Sequence, residues 1–120
     1  MSKHRTEKDF IGEIHMPNEA YYGINTARGY ENFNINEEKP DSLLIKTIAW
    51  VKKACALANL EDKKIDSLIA NAIITACDKI SGGGYDDQFI VHPVQGGGGT
   101  SFNMNANEVI ANIALEILVV

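Results

Sequence analysis

The sequence predicts a mainly α domain, three main helices with a short β-hairpin near the N-terminus, and two observations carry that prediction. After Pro40, apolar residues recur at helical spacing over three long stretches, and before it short apolar pieces alternate with turn formers. With 120 residues, 45% hydrophobic and 22% charged, the chain suits one modest globular domain. No internal repeat and no linker divides it, so residues 1–120 read as a single domain.

Taken in order, "FIGEIHMP" has the makings of a short strand, and "AYYG", after the Pro17-Asn18 turn signal, is its expected hairpin partner. "NTARGYENF" reads as a short, glycine-weakened helix with Asn25 as its N-cap. Asp41 and Ser42 start the first main helix, whose apolar face is Leu44, Ile48, Val51, Cys55 and Ala58, with Lys46 and Lys53 opposite. The second is expected to be capped by Asp62 and to bury Ile65, Leu68, Ile69, Ala72, Ile73, Ala76 and Ile80. Gly82-Gly83-Gly84 ends it, and the short connection makes these two helices an antiparallel pair. "YDDQFIVHPVQ" is extended, since Pro93 bars a helix through it. The third helix begins near Ser101 on a stripe of Ala106, Val109, Ile110, Ile113 and Ile117, with Asn105, Glu108 and Asn112 on another face.

A formal charge of −5 without any Lys/Arg cluster argues against nucleic acid or an anionic membrane as partner. "MSKHRTEKDF" lacks the apolar run of a signal peptide and no stretch is long enough to span a bilayer, so a cytoplasmic location is expected. Cys55 and Cys77 sit in apolar helical patterns and read as buried free thiols; neither has a metal-ligand spacing, and no metal site is expected. The apolar end "ILVV" reads as a domain cut before its covering partner.

The chemistry concentrates in "VQGGGGTSFNMNANEVIANIALEI". A glycine run entering a helix N-terminus favours an anion: backbone N–H groups lack intrahelical partners there, the helix dipole is positive, and glycines admit a close ligand. Thr100 and Ser101 either cap the helix or turn a hydroxyl to the ligand, and Asn103 and Asn107, one turn apart, offer further donors. The P-loop pattern fails because Gly99, not Lys, precedes Thr100. The dinucleotide pattern fails because Ser101 stands where its third glycine belongs, so a small carboxylate is a better ligand than a phosphate. A plain loop with asparagines solvating a helix end fits the same residues. His92 reads as structural or as an acid-base residue, Asp86-Asp87 as a solvated pair, and Tyr21-Tyr22 as an anchor between hairpin and helices.

"GGGGTSFNMNANEVIANIALE" resembles a signature block of the aspartase/fumarase superfamily, which typically reads Gly-Ala-Gly-Thr-Ser-x-Asn-Met-Asn-x-Asn-Glu-Val. "DFIGEIHMPNEAYYGINTARGYENFNI", "VKKACALAN", "ANAIITACDKI" and "DDQFIVHPVQ" are similar to the family's other segments, in the expected order over almost the whole chain. "YYG", "ENF" and Ser101 directly after Thr100 lean toward the aspartate ammonia-lyase branch rather than fumarate hydratase.

The resemblance implies the N-terminal domain of a lyase that reversibly deaminates L-aspartate to fumarate and ammonia without a cofactor. It implies a homotetramer whose sites draw on several subunits. By the same resemblance, Thr100, then Ser101 and Asn103, with the backbone of Gly98 and Gly99, form part of a carboxylate-binding wall. The family's base lies in a later signature block that this sequence lacks, so no catalytic residue is assigned within 1–120 and the isolated chain is expected to be inactive. Gly98 stands where Ala or Ser is usual, and His92 where Asp is common. The competing expectations are the corresponding domain of a fumarate hydratase, and a non-enzymatic module that binds an anion or a partner.

Overall fold

A computed structural model describes residues 3–119. Strands β1 (His4–Lys8) and β2 (Glu13–Pro17) lead into α1 (Ile24–Asn32), α2 (Ser42–Glu61), α3 (Ser67–Ser81) and α4 (Thr100–Val119), with short 3-10 turns at Asp86–Gln88 and Gly97–Gly99. The mainly α reading with an N-terminal hairpin holds. No helix among the described residues is long and apolar enough to cross a membrane.

The hairpin differs in its pairing from the sequence expectation. "EIHMP" is a strand, but its antiparallel partner is the polar stretch "HRTEK", in the register His4 to Pro17 and Lys8 to Glu13, and "AYYG" lies outside the sheet. Charge rather than hydrophobicity holds β1, which is why an apolar pattern misses it. The Arg5 guanidinium donates to the carbonyls of Pro17, Asn18, Ala20 and Tyr22 at 2.8–3.1 Å, pinning the chain that follows β2.

The hairpin tip is set by Asp9. One of its oxygens accepts from the Ile11 and Gly12 amides at 2.9 and 3.1 Å, and Arg28 of α1 grips both oxygens at 2.6 and 2.7 Å. Gly12, at φ +149°, takes a backbone that a side chain would oppose. The Arg28 bond is the main reason that the Asp9 carboxyl is held down at about 2, below its ordinary 3.8. A depressed folded-state value stabilises the fold above the ordinary carboxylate range, and that contribution drains away as pH falls through about 2. Asp9→Asn should therefore melt below the wild type at neutral pH, with the gap closing between pH 4 and 2. A constant gap across an acid series of thermal melts contradicts this.

Helix α2 starts as expected, with the Asp41 carboxylate accepting from the Leu43 amide at 2.7 Å. Asp66 caps α3 through the Leu68 amide at 2.9 Å; Asp62, the expected cap, instead closes the end of α2. Gly83 and Gly84, at φ +86° and +100°, turn the chain out of α3. Lys53 of α2 meets Asp78 late in α3 at 2.7 Å, whereas Ala56 and Asn59 line a groove with Ile65 and Ile73, which is the register of an antiparallel pair.

The buried face of α2 is rotated from the expected one. Ile45, Ala49 and Ala56 are buried, while Leu44, Val51 and Cys55 face outward with Leu43, Trp50 and Leu57. The helix is apolar around most of its girth, so periodicity does not select the face. The small side chains do, because Ala49 and Ala56 let α2 approach Ala72 and Ala76 of α3 and Ala106 of α4 closely. On α3, Leu68 and Ile69 are likewise exposed, and the core takes Ala72, Ala76, Cys77 and Ile80. The stripe expected on α4 is buried from Ala106 to Ile113, with Ile117 packed at its edge. Of the two thiols only Cys77 is buried; burial pushes it up to about 11, so it stays protonated and inert.

Candidate functional site

The segment before α4 is tied down residue by residue. His92 is buried, and its Nδ1 accepts from the Val94 amide at 3.0 Å. Nδ1 is therefore the bare nitrogen, and Nε2 carries the proton that it donates to Asn36 Oδ1 at 2.9 Å. This histidine is a structural pin, not an exposed acid-base group. Gln95 continues the brace: its amide donates to the His92 carbonyl at 2.9 Å, and its oxygen caps α4 by accepting from the Phe102 amide at 2.8 Å. A cap seven residues from its amide lies outside the usual capping pattern and is invisible to local sequence reading.

Between these anchors lies the glycine run. Gly97, Gly98 and Gly99 have φ of +73°, +64° and +85°, three left-handed residues in succession. Each would cost a side-chain-bearing residue about 1–2 kcal/mol, so glycine suits all three positions of this turn. The Thr100 hydroxyl donates to the Gly97 carbonyl at 2.6 Å, closing the loop onto the first turn of α4. To donate to a ligand, that hydroxyl has to leave Gly97. No acidic residue lies in the first turn of α4, so its positive end is not neutralised from within. Beside the loop, Pro40, Leu44, Pro93, Gln95, Gly99 and Phe102 surround a cavity of about 200 Å3.

The site residues named from the sequence divide between two faces of α4. Thr100 and Asn103, three residues apart, share one face, and Asn103 Oδ1 accepts from Lys52 Nζ of α2 at 2.7 Å. Asn107, a turn further on, rests its amide against the Met104 sulfur at 3.7 Å and lines the groove between α2 and α4. Ser101 turns toward α1 instead. A Cβ added to Gly29 would sit 3.2 Å from the Ser101 Cβ, so α1 approaches α4 over a glycine.

The other polar residues of this segment do structural work. Asn105, completely buried, accepts from the Ile90 amide at 3.0 Å and donates to the Gln88 carbonyl at 2.9 Å. Glu108 accepts from the Thr26 amide and hydroxyl at 2.8 and 2.6 Å and from the Asn25 amide at 3.1 Å. With Glu7, which accepts from the Ile24 amide at 3.0 Å, it supplies the N-terminal cap of α1 that Asn25 was expected to provide. Gly23 has ordinary extended dihedrals; glycine is needed because a Cβ there would collide with the Glu108 carboxylate. Asn112 donates to the Tyr21 carbonyl at 2.6 Å, and the Tyr21 hydroxyl donates to Glu116 at 2.7 Å, which pushes the phenol up to about 12. Tyr21 also stacks edge-on with Tyr85, the anchoring role expected of it. The spacing of Asn105, Glu108, Asn112 and Glu116, three, four and four, is the signal that this is one helix face. Of the acidic pair, Asp87 is exposed, while one Asp86 carboxylate oxygen is enclosed without a hydrogen-bond partner among the described residues.

A family model described as lyase matches residues 12–119. The chain belongs to the aspartase/fumarase superfamily of lyases. Within this lyase family, an aspartate ammonia-lyase of Bacillus subtilis is 53% identical over 97% of the chain, and one of Escherichia coli is 47% identical over 95%. The chain spans about a quarter (24%) of the length of each of these relatives. A fumarate lyase:delta crystallin structure from Brucella melitensis superposes with a TM-score of 0.92 at 46% identity, covering 96% of this chain and 27% of that one. A class II fumarase from Schistosoma mansoni gives 0.91 at 34% identity, covering 96% and 24%. A class II fumarase shares this fold with a chain whose sequence relatives are aspartate ammonia-lyases, so the fold alone does not separate the two branches.

Proposed function

We propose that this segment is the N-terminal domain of an aspartate ammonia-lyase and forms one wall of its dicarboxylate site. The observation that carries the proposal is the run of left-handed glycines at the start of α4, with Thr100 and Asn103 on one face of the helix behind it. In deamination a base takes a proton from the carbon beside one carboxylate, negative charge gathers on that carboxylate, and the amine departs to leave fumarate. Fixed donors placed where that charge develops lower the barrier most, because they need no reorganisation as the reaction proceeds. Thr100, Asn103 and the amides of Gly98 and Gly99 are suited to hold a carboxylate in this way, with Ser101 on the neighbouring side.

No base is assigned here; it is supplied from outside this segment, in a homotetramer whose sites draw on several subunits in the cytoplasm. By itself the 120-residue chain is then inactive but retains weak affinity for dicarboxylates. Aspartate is favoured over malate as substrate because the curated relatives above are aspartate ammonia-lyases. Titrating succinate into the chain should shift the backbone amide resonances of residues 97–103, and Thr100→Val should suppress those shifts. Fumarate with ammonia should keep its ultraviolet absorbance in the presence of the chain. Shifts confined to other residues, or unaffected by Thr100→Val, remove the carboxylate assignment; steady loss of absorbance removes the claim of inactivity.

A further inference from the structure

We propose that Lys52 is a positioning residue for the dicarboxylate wall: it locks the Asn103 amide with its NH2 group turned outward, where a ligand carboxylate can accept from it. The inference rests on the carboxylate reading of the α4 N-terminus. Lys52 Nζ lies 2.7 Å from the Asn103 side chain in a half-buried contact. An ammonium has only donors, so the amide atom it meets must be the oxygen; the orientation of Asn103 follows from chemistry alone. Asn103 Nδ2 has no hydrogen-bond partner among the described residues and is not enclosed, so its two N–H groups face solvent. Thr100 stands one turn earlier on the same face.

The residue types distinguish this role from a simple brace between helices. Lys53, the neighbour of Lys52, ties α2 to α3 through a carboxylate, that of Asp78. A brace from Lys52 to α4 would be stronger with a carboxylate at position 103 as well. An amide there does what a carboxylate cannot, accepting from the lysine while donating to an anion. Among the described residues no carboxylate pairs with Lys52, so its charge stays uncompensated behind Asn103, beside the positive end of α4. In a chain of net charge −5, this leaves a local cationic backing for a dianion.

The test compares Lys52→Met, Lys52→Arg, Asn103→Asp and the Lys52→Met/Asn103→Asp pair, reading thermal midpoint and succinate affinity by amide shifts up to concentrations on the order of 10 mM or more. Asn103→Asp should melt at or above the wild-type temperature, because it gains an ion pair with Lys52, yet bind succinate roughly tenfold more weakly. Lys52→Met should also weaken binding, Lys52→Arg should restore most of it, and any midpoint gain from Asn103→Asp should vanish in the pair. A brace alone predicts that stability and affinity fall together. Succinate binding that Thr100→Val suppresses and Lys52→Met leaves unchanged overturns the role of Lys52 alone. A wild-type chain whose residues 97–103 do not respond to succinate overturns the carboxylate reading and the positioning role with it.

Discussion

Replacing Glu108 with Ala is expected to lower the stability of the domain by about 3 kcal/mol, a fall in thermal midpoint of roughly 10 °C. The carboxylate serves four donors at the start of α1, and the Thr26 amide and hydroxyl have no water to turn to, since Thr26 is fully buried. Losing the acceptor leaves those donors unsatisfied and removes a negative charge from a helix N-terminus. Glu108→Gln separates the two contributions. Its carbonyl oxygen can keep Thr26, but its NH2 then meets the amide of Asn25, so about half the loss should remain. A Glu108→Ala protein that melts with the wild type would show that α1 is held by Glu7 and apolar packing alone. The effect should also reach the site, because α1 is what Ser101 packs against.

The second large effect is expected at Asn105. Asn105→Ala strips the partners from the Ile90 amide and the Gln88 carbonyl inside the protein, at a cost of about 2–4 kcal/mol. Hydrogen exchange should locate the damage: amides of residues 88–99 should lose protection well before those of α2 and α3, since the clamp holds the segment that carries His92 and Gln95 into the glycine run. Equal loss of protection throughout would mean that Asn105 supports the whole core rather than this segment. Asn105→Asp adds a sign test. Its protonated form can replace the asparagine by donating to Gln88, whereas its charged form faces a carbonyl oxygen, so burial raises its folded-state pKa. That variant should be most stable in acid and weaken as pH rises through the raised value.

These two residues show what was legible and what was not. Helical spacing puts Asn105, Glu108 and Asn112 on a face apart from the apolar stripe, but a polar helix face reads as solvated unless its partners are known. Here the partners lie far off in the chain: Glu108 accepts from an amide of α1 83 residues earlier, and Asn112 reaches a carbonyl 91 residues away. Local patterns carry no trace of such contacts. The same limit explains β1, whose strand is held by Arg5 spread over four carbonyls rather than by an apolar face.

By itself the sequence determined the helical segments, the stop at Gly82-Gly83-Gly84, the glycine turn into α4, and the lyase family. Those features depend on neighbours within a turn or two, or on residue types that few backbones tolerate. Only the tertiary structure decided which side of α2 is buried, what caps α1, and which way the Asn103 amide faces. Periodicity fixes an angle around one helix but not the partner it meets. On α2 both sides are apolar, and the close fit allowed by Ala49 and Ala56 chose between them.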